Sequence, residues 1–109
     1  MIVRIWTTRV EPTRVDEYRS FAIERSLPMF REQDGFLGVM FTESELRFAV
    51  ISLWTDRRAA EALESSASYR ATVAAITRAG FLTGSQGVEI LDVKGGHVDV
   101  AVAGVLSKS

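Results

Sequence analysis

The sequence lacks several residue types on which common protein chemistry depends. It has no cysteine and a single histidine, His97, which excludes disulfides, zinc–thiolate sites, thiol catalysis and multi-histidine metal sites. A Ser-His-Asp triad would have to use His97. No apolar run reaches the length of a membrane span, and Arg4 interrupts the first apolar run too early for a signal peptide. We therefore expect a cytoplasmic protein with little conventional catalytic equipment and no membrane partner.

A large excess of charge of one sign is also absent. The chain has 13 basic and 14 acidic residues, for a formal net charge of −1. This balance predicts that nucleic acid is not a partner, because phosphate binding requires a basic surface. The length of 109 residues and the hydrophobic content of 47% are those of one ordinary globular domain.

Hydrophobic periodicity predicts the element order strand, helix, strand, strand, helix, strand. Thr13 is the candidate N-cap of the first helix, and Pro28 should kink or loosen that helix. The order is the ferredoxin-like βαββαβ pattern, an α+β fold in which two helices cover one face of a four-stranded antiparallel sheet. The predicted elements are strands 2–10, 36–41, 46–54 and 86–93 and helices 13–32 and 56–79.

The C-terminal segment is expected to lie outside this pattern. We assign residues 1–94 to the ferredoxin-like domain and residues 95–109 to a tail. Gly95-Gly96 is typical of a hairpin turn, and the apolar alternation after His97 favours an extra strand. Such a strand could fold over the domain itself or dock on a partner.

Apolar side chains occupy both faces of the middle strands. In the third strand Val50 is flanked by Ala49 and Ile51, which point to the opposite face. In the second strand strict alternation predicts Phe36 and Met40 on one face and residues 37, 39 and 41 on the other. An antiparallel sheet with one face in water should show alternating polar residues. We therefore expect a homodimer in which two sheets close a shared barrel; the alternative is a monomer whose tail covers the open face.

Several segments together resemble the antibiotic biosynthesis monooxygenase-like domains of the dimeric α+β barrel superfamily. The similarity extends over about residues 1–93. The segments that carry it are Met1-Ile2-Val3-Arg4-Ile5-Trp6, Arg9-Val10-Glu11-Pro12, Asp34-Gly35-Phe36-Leu37-Gly38, Ser52-Leu53-Trp54-Thr55-Asp56 and Gly87-Val88-Glu89-Ile90-Leu91-Asp92-Val93. These segments indicate the fold, whereas the reaction varies within the superfamily.

Two enzymatic branches of this superfamily can be compared with the chain. The haem-degrading branch has an Asn on the first strand and a Trp and a His on the second helix, where this chain has Thr7, Leu63 and no histidine. The resemblance therefore favours the cofactor-independent oxygenases, which act on aromatic or polyketide-like small molecules without metal or flavin. We expect no cofactor. The alternative is a non-catalytic dimer of the same fold that binds an apolar or aromatic small molecule or has a regulatory role.

The residue types that could line a pocket for such a molecule are aromatic, with a few polar groups to stabilise an anion. Arg4 is notable because an unpaired charge on a central strand is costly. Each candidate also has a simpler interpretation as a core or surface residue, and His97 is expected to be exposed. No catalytic residue or general base can be assigned; Arg70 is a second possible anion contact. The pocket candidates are Trp54, Tyr69, Tyr18, Trp6, Arg4 and Phe81.

Overall fold

The computed structural model describes all 109 residues and contains one four-stranded antiparallel sheet. The strand order is β2-β3-β1-β4, and the α+β ferredoxin-like architecture predicted from the sequence is confirmed. The elements are β1 (Ile2–Val10), α1 (Val15–Phe21), α2 (Leu27–Arg31), β2 (Phe36–Glu43), β3 (Phe48–Trp54), α3 (Arg57–Ala62), α4 (Ala67–Ala79), β4 (Leu82–Asp92) and α5 (Val102–Leu106).

The central strands show the alternation expected of a sheet covered on one face. In β3 the even-numbered residues from Phe48 to Trp54 are buried, and the odd-numbered residues between them are only half-buried. In β1, Ile2, Arg4 and Thr8 point to the buried side. Because Arg4 pairs with Ser52 and Trp6 with Val50, the two strands present their even-numbered side chains to the same face.

Strand β2 departs from the predicted alternation. The pairing with β3 shifts between Phe36 and Gly38, so that Met40 pairs with Ile51 and Phe41 with Val50. The extra residue of this β-bulge reverses the orientation of every side chain that follows it. The prediction that Phe36 and Met40 share a face was therefore wrong: Phe36 packs on the helix side and Met40 lies on the opposite, open face.

The first helical region contains a π-helical turn. Residues 15–31 are helical throughout, but Ala22–Ser26 forms a π-helix between α1 and α2. The wider turn directly precedes Pro28, which cannot donate a helical hydrogen bond. Thr13 does not cap this helix: it lies in a 3-10 turn and its hydroxyl donates to the Glu11 carboxylate.

The second helical region is two helices rather than the single helix predicted over 56–79. The chain passes through a 3-10 turn (Leu63–Ser65) and becomes extended at Ser66, whose Oγ accepts a hydrogen bond from the Tyr69 backbone N–H. Serine competes for helical backbone hydrogen bonds and caps helices well, so it both ends one helix and begins the next. Gly80 ends α4 in the left-handed conformation, where the helix predicted over 56–79 was expected to end.

Two clusters of buried side chains lie between the sheet and the helices. The larger one surrounds Trp54, which is completely buried and whose Nε1 donates to Ser52 Oγ at 2.9 Å. The smaller one contains Tyr18, Phe48 and Phe81 in edge-to-face contact. The helix side of the sheet is thus packed at both ends, and α4 crosses the space between them.

The tail forms no strand. Every residue from 94 to 109 is exposed, and Val102–Leu106 is a short helix where an extra strand was predicted. The Asp99 carboxylate accepts a hydrogen bond from the Ala101 backbone N–H just before that helix. Without a neighbouring strand, the backbone satisfies its hydrogen bonds locally, which favours a helix. The tail therefore leaves the open face of the sheet uncovered.

No helix of the protein combines the length and the apolar character needed to cross a lipid bilayer.

Candidate functional site

A cavity of about 90 Å³ lies between the sheet and the helices and opens to solvent on one side. Its floor is formed by β1, β3 and β4, and its walls by the π-helical turn, α2 and α4. Most of its lining is apolar or aromatic, as in small-molecule sites generally. The lining residues are Arg4, Trp6, Ser26, Met29, Phe30, Val50, Tyr69, Thr72, Val73, Ile76, Thr77 and Gln86.

Arg4 is the charged group of this cavity. It projects from β1 toward the helices and is only 3% exposed. Its Nη2 donates a hydrogen bond to Tyr69 Oη at 3.1 Å, and its guanidinium carbon lies 5.5 Å from the centre of the Tyr69 ring. Its Nε is buried and has no hydrogen-bond partner. The cation is therefore held in place by Tyr69 and still has unused donor capacity.

The nearest carboxylate to Arg4 is on the surface. Glu64 Oε1 lies 3.7 Å from Arg4 Nη2, and the Glu64 side chain is 63% exposed. This separation exceeds that of a good charge-assisted hydrogen bond, about 2.7–2.9 Å. Glu64 therefore balances the buried charge only in part and from the solvent side.

Three of the six candidates from the sequence line the cavity together. Arg4 and Trp6 come from alternate positions of β1, and Tyr69 faces them from the first turn of α4. Side chains two residues apart on a strand share a face, so Arg4 and Trp6 of β1 both reach the cavity. The cavity thus combines one cation, one phenolic hydroxyl and one indole.

The other three candidates lie in the packed interior. Trp54 is 0% exposed and contacts Phe30 and Phe36 in the larger cluster. Tyr18 and Phe81 belong to the smaller cluster, away from the cavity lining. Their aromatic character is used for packing, which is the commoner role of large aromatic side chains.

Tyr18 has an unusual environment for a hydroxyl group. Its Oη is buried without a hydrogen-bond partner. Burial, and secondarily the charge of Glu43, raises the pKa of Tyr18 to about 12. Since desolvation disfavours the phenolate, this hydroxyl stays neutral and cannot serve as a base near neutral pH.

The two remaining polar candidates lie outside the cavity. Arg70 is exposed, and its Nε donates to the Glu64 backbone carbonyl at 3.2 Å. His97 is exposed in the tail. Neither group lines the cavity.

Several lining residues were not identified from the sequence. Thr72, Ile76 and their neighbours follow Tyr69 at helical spacing, so this signal was present in the pattern of α4. Ser26 and Gln86 come from the π-helical turn and from β4. Whether these two residues line the cavity depends on how distant segments pack, so no local sequence pattern predicts it.

Fold and cavity together define an α+β ferredoxin-like protein with a small cavity between sheet and helices. The family model described as antibiotic biosynthesis monooxygenase matches residues 1–75. The chain belongs to this family, as the resemblance in its sequence indicated. A search of curated proteins finds no significant match.

Many solved structures share the fold. A Nitrosomonas europaea protein of unknown function superposes with a TM-score of 0.73 at 14% identity, covering 91% of this chain and 94% of its own. A candidate antibiotic biosynthesis monooxygenase from Caulobacter crescentus gives 0.73 at 20% identity, covering 86% and 90%. SnoaB, a cofactor-independent oxygenase from Streptomyces nogalater, gives 0.70 at 15% identity, covering 87% and 94%. At these identities the similarity establishes the fold alone.

Proposed function

We propose that this protein is a cofactor-independent monooxygenase that acts on an aromatic or polyketide-like small molecule in the cavity beside Arg4. The observation that carries the proposal is the buried Arg4–Tyr69 pair, which presents a cation and a phenolic hydroxyl to a cavity lined mostly by apolar and aromatic side chains. Family membership and a structural neighbour described as a cofactor-independent oxygenase support the same reaction class.

The chemistry suits a substrate that forms a delocalised anion. The substrate loses its C–H proton to solvent, since no carboxylate or imidazole lines the cavity. The anion passes one electron to dioxygen, the two radicals combine to a peroxide, and loss of water leaves a carbonyl group, so that CH₂ and O₂ give C=O and H₂O. Arg4 would stabilise the negative oxygen of the anion, and the Tyr69 hydroxyl, which accepts from Arg4, keeps its own proton available for donation. Fixed donors in a desolvated site stabilise developing charge more effectively than water does.

The cavity volume limits how the substrate sits. About 90 Å³ is well below the roughly 300–1,000 Å³ of pockets that enclose drug-sized ligands. A tricyclic substrate would place one ring between Trp6 and α4 and leave the rest at the open side. The residues at that side, Thr77 and Gln86, then contact the outer rings.

The functional unit proposed here is a homodimer. The open face of the sheet exposes apolar side chains that α1–α4 do not cover, among them Val3, Ile5, Ile51, Leu53 and Met40. A second copy of the chain presents an equally apolar face, and burying the two against each other is favourable at about 25 cal/mol per Å². Light scattering after size-exclusion chromatography tests this: a species of 12.1 kDa at all dilutions contradicts the dimer.

Oxygen uptake with anthrone, which carries an activated methylene, tests the proposed reaction when it is measured at a pH where part of the anthrone is ionised in solution. Wild-type protein should accelerate uptake above the buffer rate, and Tyr69→Phe should reduce the acceleration by about tenfold, as expected for one hydrogen bond to a charged group. Tyr18→Phe is the matched control: it removes the same atom from the packed interior and should leave uptake unchanged. Equal rates for buffer, wild type and Tyr69→Phe would contradict the proposal.

A second candidate function is binding without catalysis. The small volume of the cavity favours it, because a site that holds one ring can bind a metabolite without accommodating both a large substrate and dioxygen. Under this alternative an aromatic ligand binds saturably, with affinity reduced by Tyr69→Phe, and no oxygen is consumed. Measuring binding and oxygen uptake on the same samples separates the two functions.

A further inference from the structure

We infer that the cavity accepts its ligand as a planar oxygen anion that is already ionised on arrival. Arg4 is the receptor for the anion, and Glu64 is the counter-ion that the anion displaces. The inference uses the same cavity as the proposed function and specifies the chemical class of its ligand. It concerns binding, so it does not depend on whether oxygen is consumed.

Arg4 is incompletely paired in this structure. A guanidinium carries five N–H donors, yet Arg4 has one hydrogen-bonded side-chain partner, the neutral hydroxyl of Tyr69, and its buried Nε has none. A buried charge is costly unless it is paired and hydrogen-bonded. A planar carboxylate, phenolate or enolate supplies both the negative charge and the acceptor oxygens that the guanidinium lacks.

Glu64 occupies a position from which an anion can displace it. Its carboxylate is 63% exposed and lies 3.7 Å from Arg4, in the 3-10 turn Leu63–Ser65 that directly precedes the helix break at Ser66. Such a partly exposed pair is weak and can separate at little cost, because water solvates the released carboxylate. An anion in the cavity approaches the same cation from the protein side and competes with Glu64.

The cavity wall has no group that could ionise a neutral acid. Among its twelve residues the only ionisable side chains are Arg4 and Tyr69. The wall contains hydroxyl, amide and apolar groups but no carboxylate or imidazole that could remove a proton from a bound acid. A ligand that enters as a neutral acid would therefore stay neutral, whereas one that is ionised in solution is matched by the Arg4 charge. The indole of Trp6 and the side chains of Phe30 and Val50 suit a flat ring.

Calorimetric titration with single-ring probes tests the anion preference. Benzoate and benzamide have nearly the same shape, but only benzoate is charged. Benzoate should bind at least about tenfold more tightly, as expected for a charge-assisted hydrogen bond. 4-Nitrophenolate, measured at a pH where it is ionised, distinguishes a preference for phenolates from one for carboxylates. Equal affinities for benzoate and benzamide, or no binding of either anion, would overturn the inference.

Variants of Glu64 test the proposed displacement without disturbing the core. Glu64→Gln should strengthen benzoate binding by about two- to fivefold, since it removes the competing partner, and should leave benzamide binding unchanged. Glu61→Gln is the matched control, because Glu61 is exposed one turn earlier and makes no ion pair. An equal gain for Glu61→Gln would show a general charge effect and contradict displacement.

Variants of Arg4 complete the test. Arg4→Gln should remove the preference for benzoate over benzamide, and Arg4→Lys should keep part of it, because the charge remains but the planar donors are lost. Circular dichroism shows whether each variant is folded. If Arg4→Gln does not fold, the effect of Glu64→Gln on benzoate affinity tests the inference in its place. Anion binding without oxygen uptake would refute the oxygenase proposal and leave this inference intact.

Discussion

The two faces of the sheet carry similar side chains in different surroundings. On the helix side, Trp54 is 0% and Val50 is 8% exposed, whereas the neighbouring Ile51 and Leu53 on the open side are only half-buried. Both sets come from the same strand and are equally apolar. The comparison teaches that hydrophobic content identifies surfaces that need covering, while the arrangement of helices decides which face is covered within one protomer.

The largest expected effect comes from removing the most buried side chain of the helix side. Trp54→Ala should lower the free energy of unfolding by about 3–5 kcal/mol, because it leaves a cavity in the larger cluster. Leu53→Ala, one residue away on the open face, should cost about 1 kcal/mol when both variants are measured in a protomer kept monomeric by Ile51→Glu, since part of the Leu53 surface is then in water. Urea denaturation measures both. Similar losses for the two variants would contradict the contrast between the faces.

A charge placed on the open face should break the dimer while leaving the protomer folded. Ile51→Glu would bury a carboxylate in an apolar interface, at a cost of several kcal/mol. Light scattering should then show the 12.1 kDa protomer in place of a particle of twice that mass. Ala62→Glu adds the same group to an exposed position of α3 and should not change the mass. Identical behaviour of both variants would argue against the open face as the interface.

Alkaline titration tests how well water is excluded from the side chains buried on the helix side of the sheet. Because the pKa of Tyr18 is about 12 in the folded protein and about 10 when unfolded, the neutral hydroxyl favours the folded state. The contribution of the Tyr18 hydroxyl to the free energy of unfolding is on the order of 2–3 kcal/mol. It is fully present below about pH 10 and is lost as the pH rises to about 12. Tyr18→Phe should abolish this part of the pH dependence.

Phenolate absorbance provides an independent measurement for the same prediction. The chain has two tyrosines, so the hydroxyl that titrates late in the wild type can be identified by its loss in Tyr18→Phe. A Tyr18 hydroxyl that ionises near pH 10 would show that water reaches this cluster.

The smallest effect is expected from the tail. Ending the chain at Val93 should change the unfolding free energy of the Ile51→Glu protomer by less than about 0.5 kcal/mol, because residues 94–109 are exposed. Thermal or urea unfolding of both lengths measures the difference. A substantial loss of stability would indicate that the tail covers the open face, the alternative to a dimer.

Much of the fold followed from patterns that act locally. Alternation in Phe48–Trp54 predicted a strand with two apolar faces, and the helical pattern predicted to end at residue 79 does end there. The errors fell where local signals compete: Ser66 both interrupts and caps a helix, and one extra residue before Gly38 reverses the faces of β2. Such bulges depend on pairing with another strand, which a single segment does not reveal.

The candidate site was predicted only in part. Arg4, Trp6 and Tyr69 were identified by residue type and lie around one cavity, whereas Trp54 and Tyr18 have the same aromatic character but lie in the packed interior. Residue type alone cannot distinguish a side chain that lines a cavity from one that packs in the core. Glu64 was not among the candidates from the sequence, because its proximity to Arg4 arises from a contact between distant segments.

The order of strands and helices, the apolar character of both sheet faces and the charge on a central strand could all be predicted from periodicity and composition. The burial of this charge beside Tyr69, its incomplete pairing and the small cavity next to it are visible only in the folded protein. Burial and pairing depend on which surfaces meet, and residues 65 positions apart, such as Arg4 and Tyr69, meet only after folding.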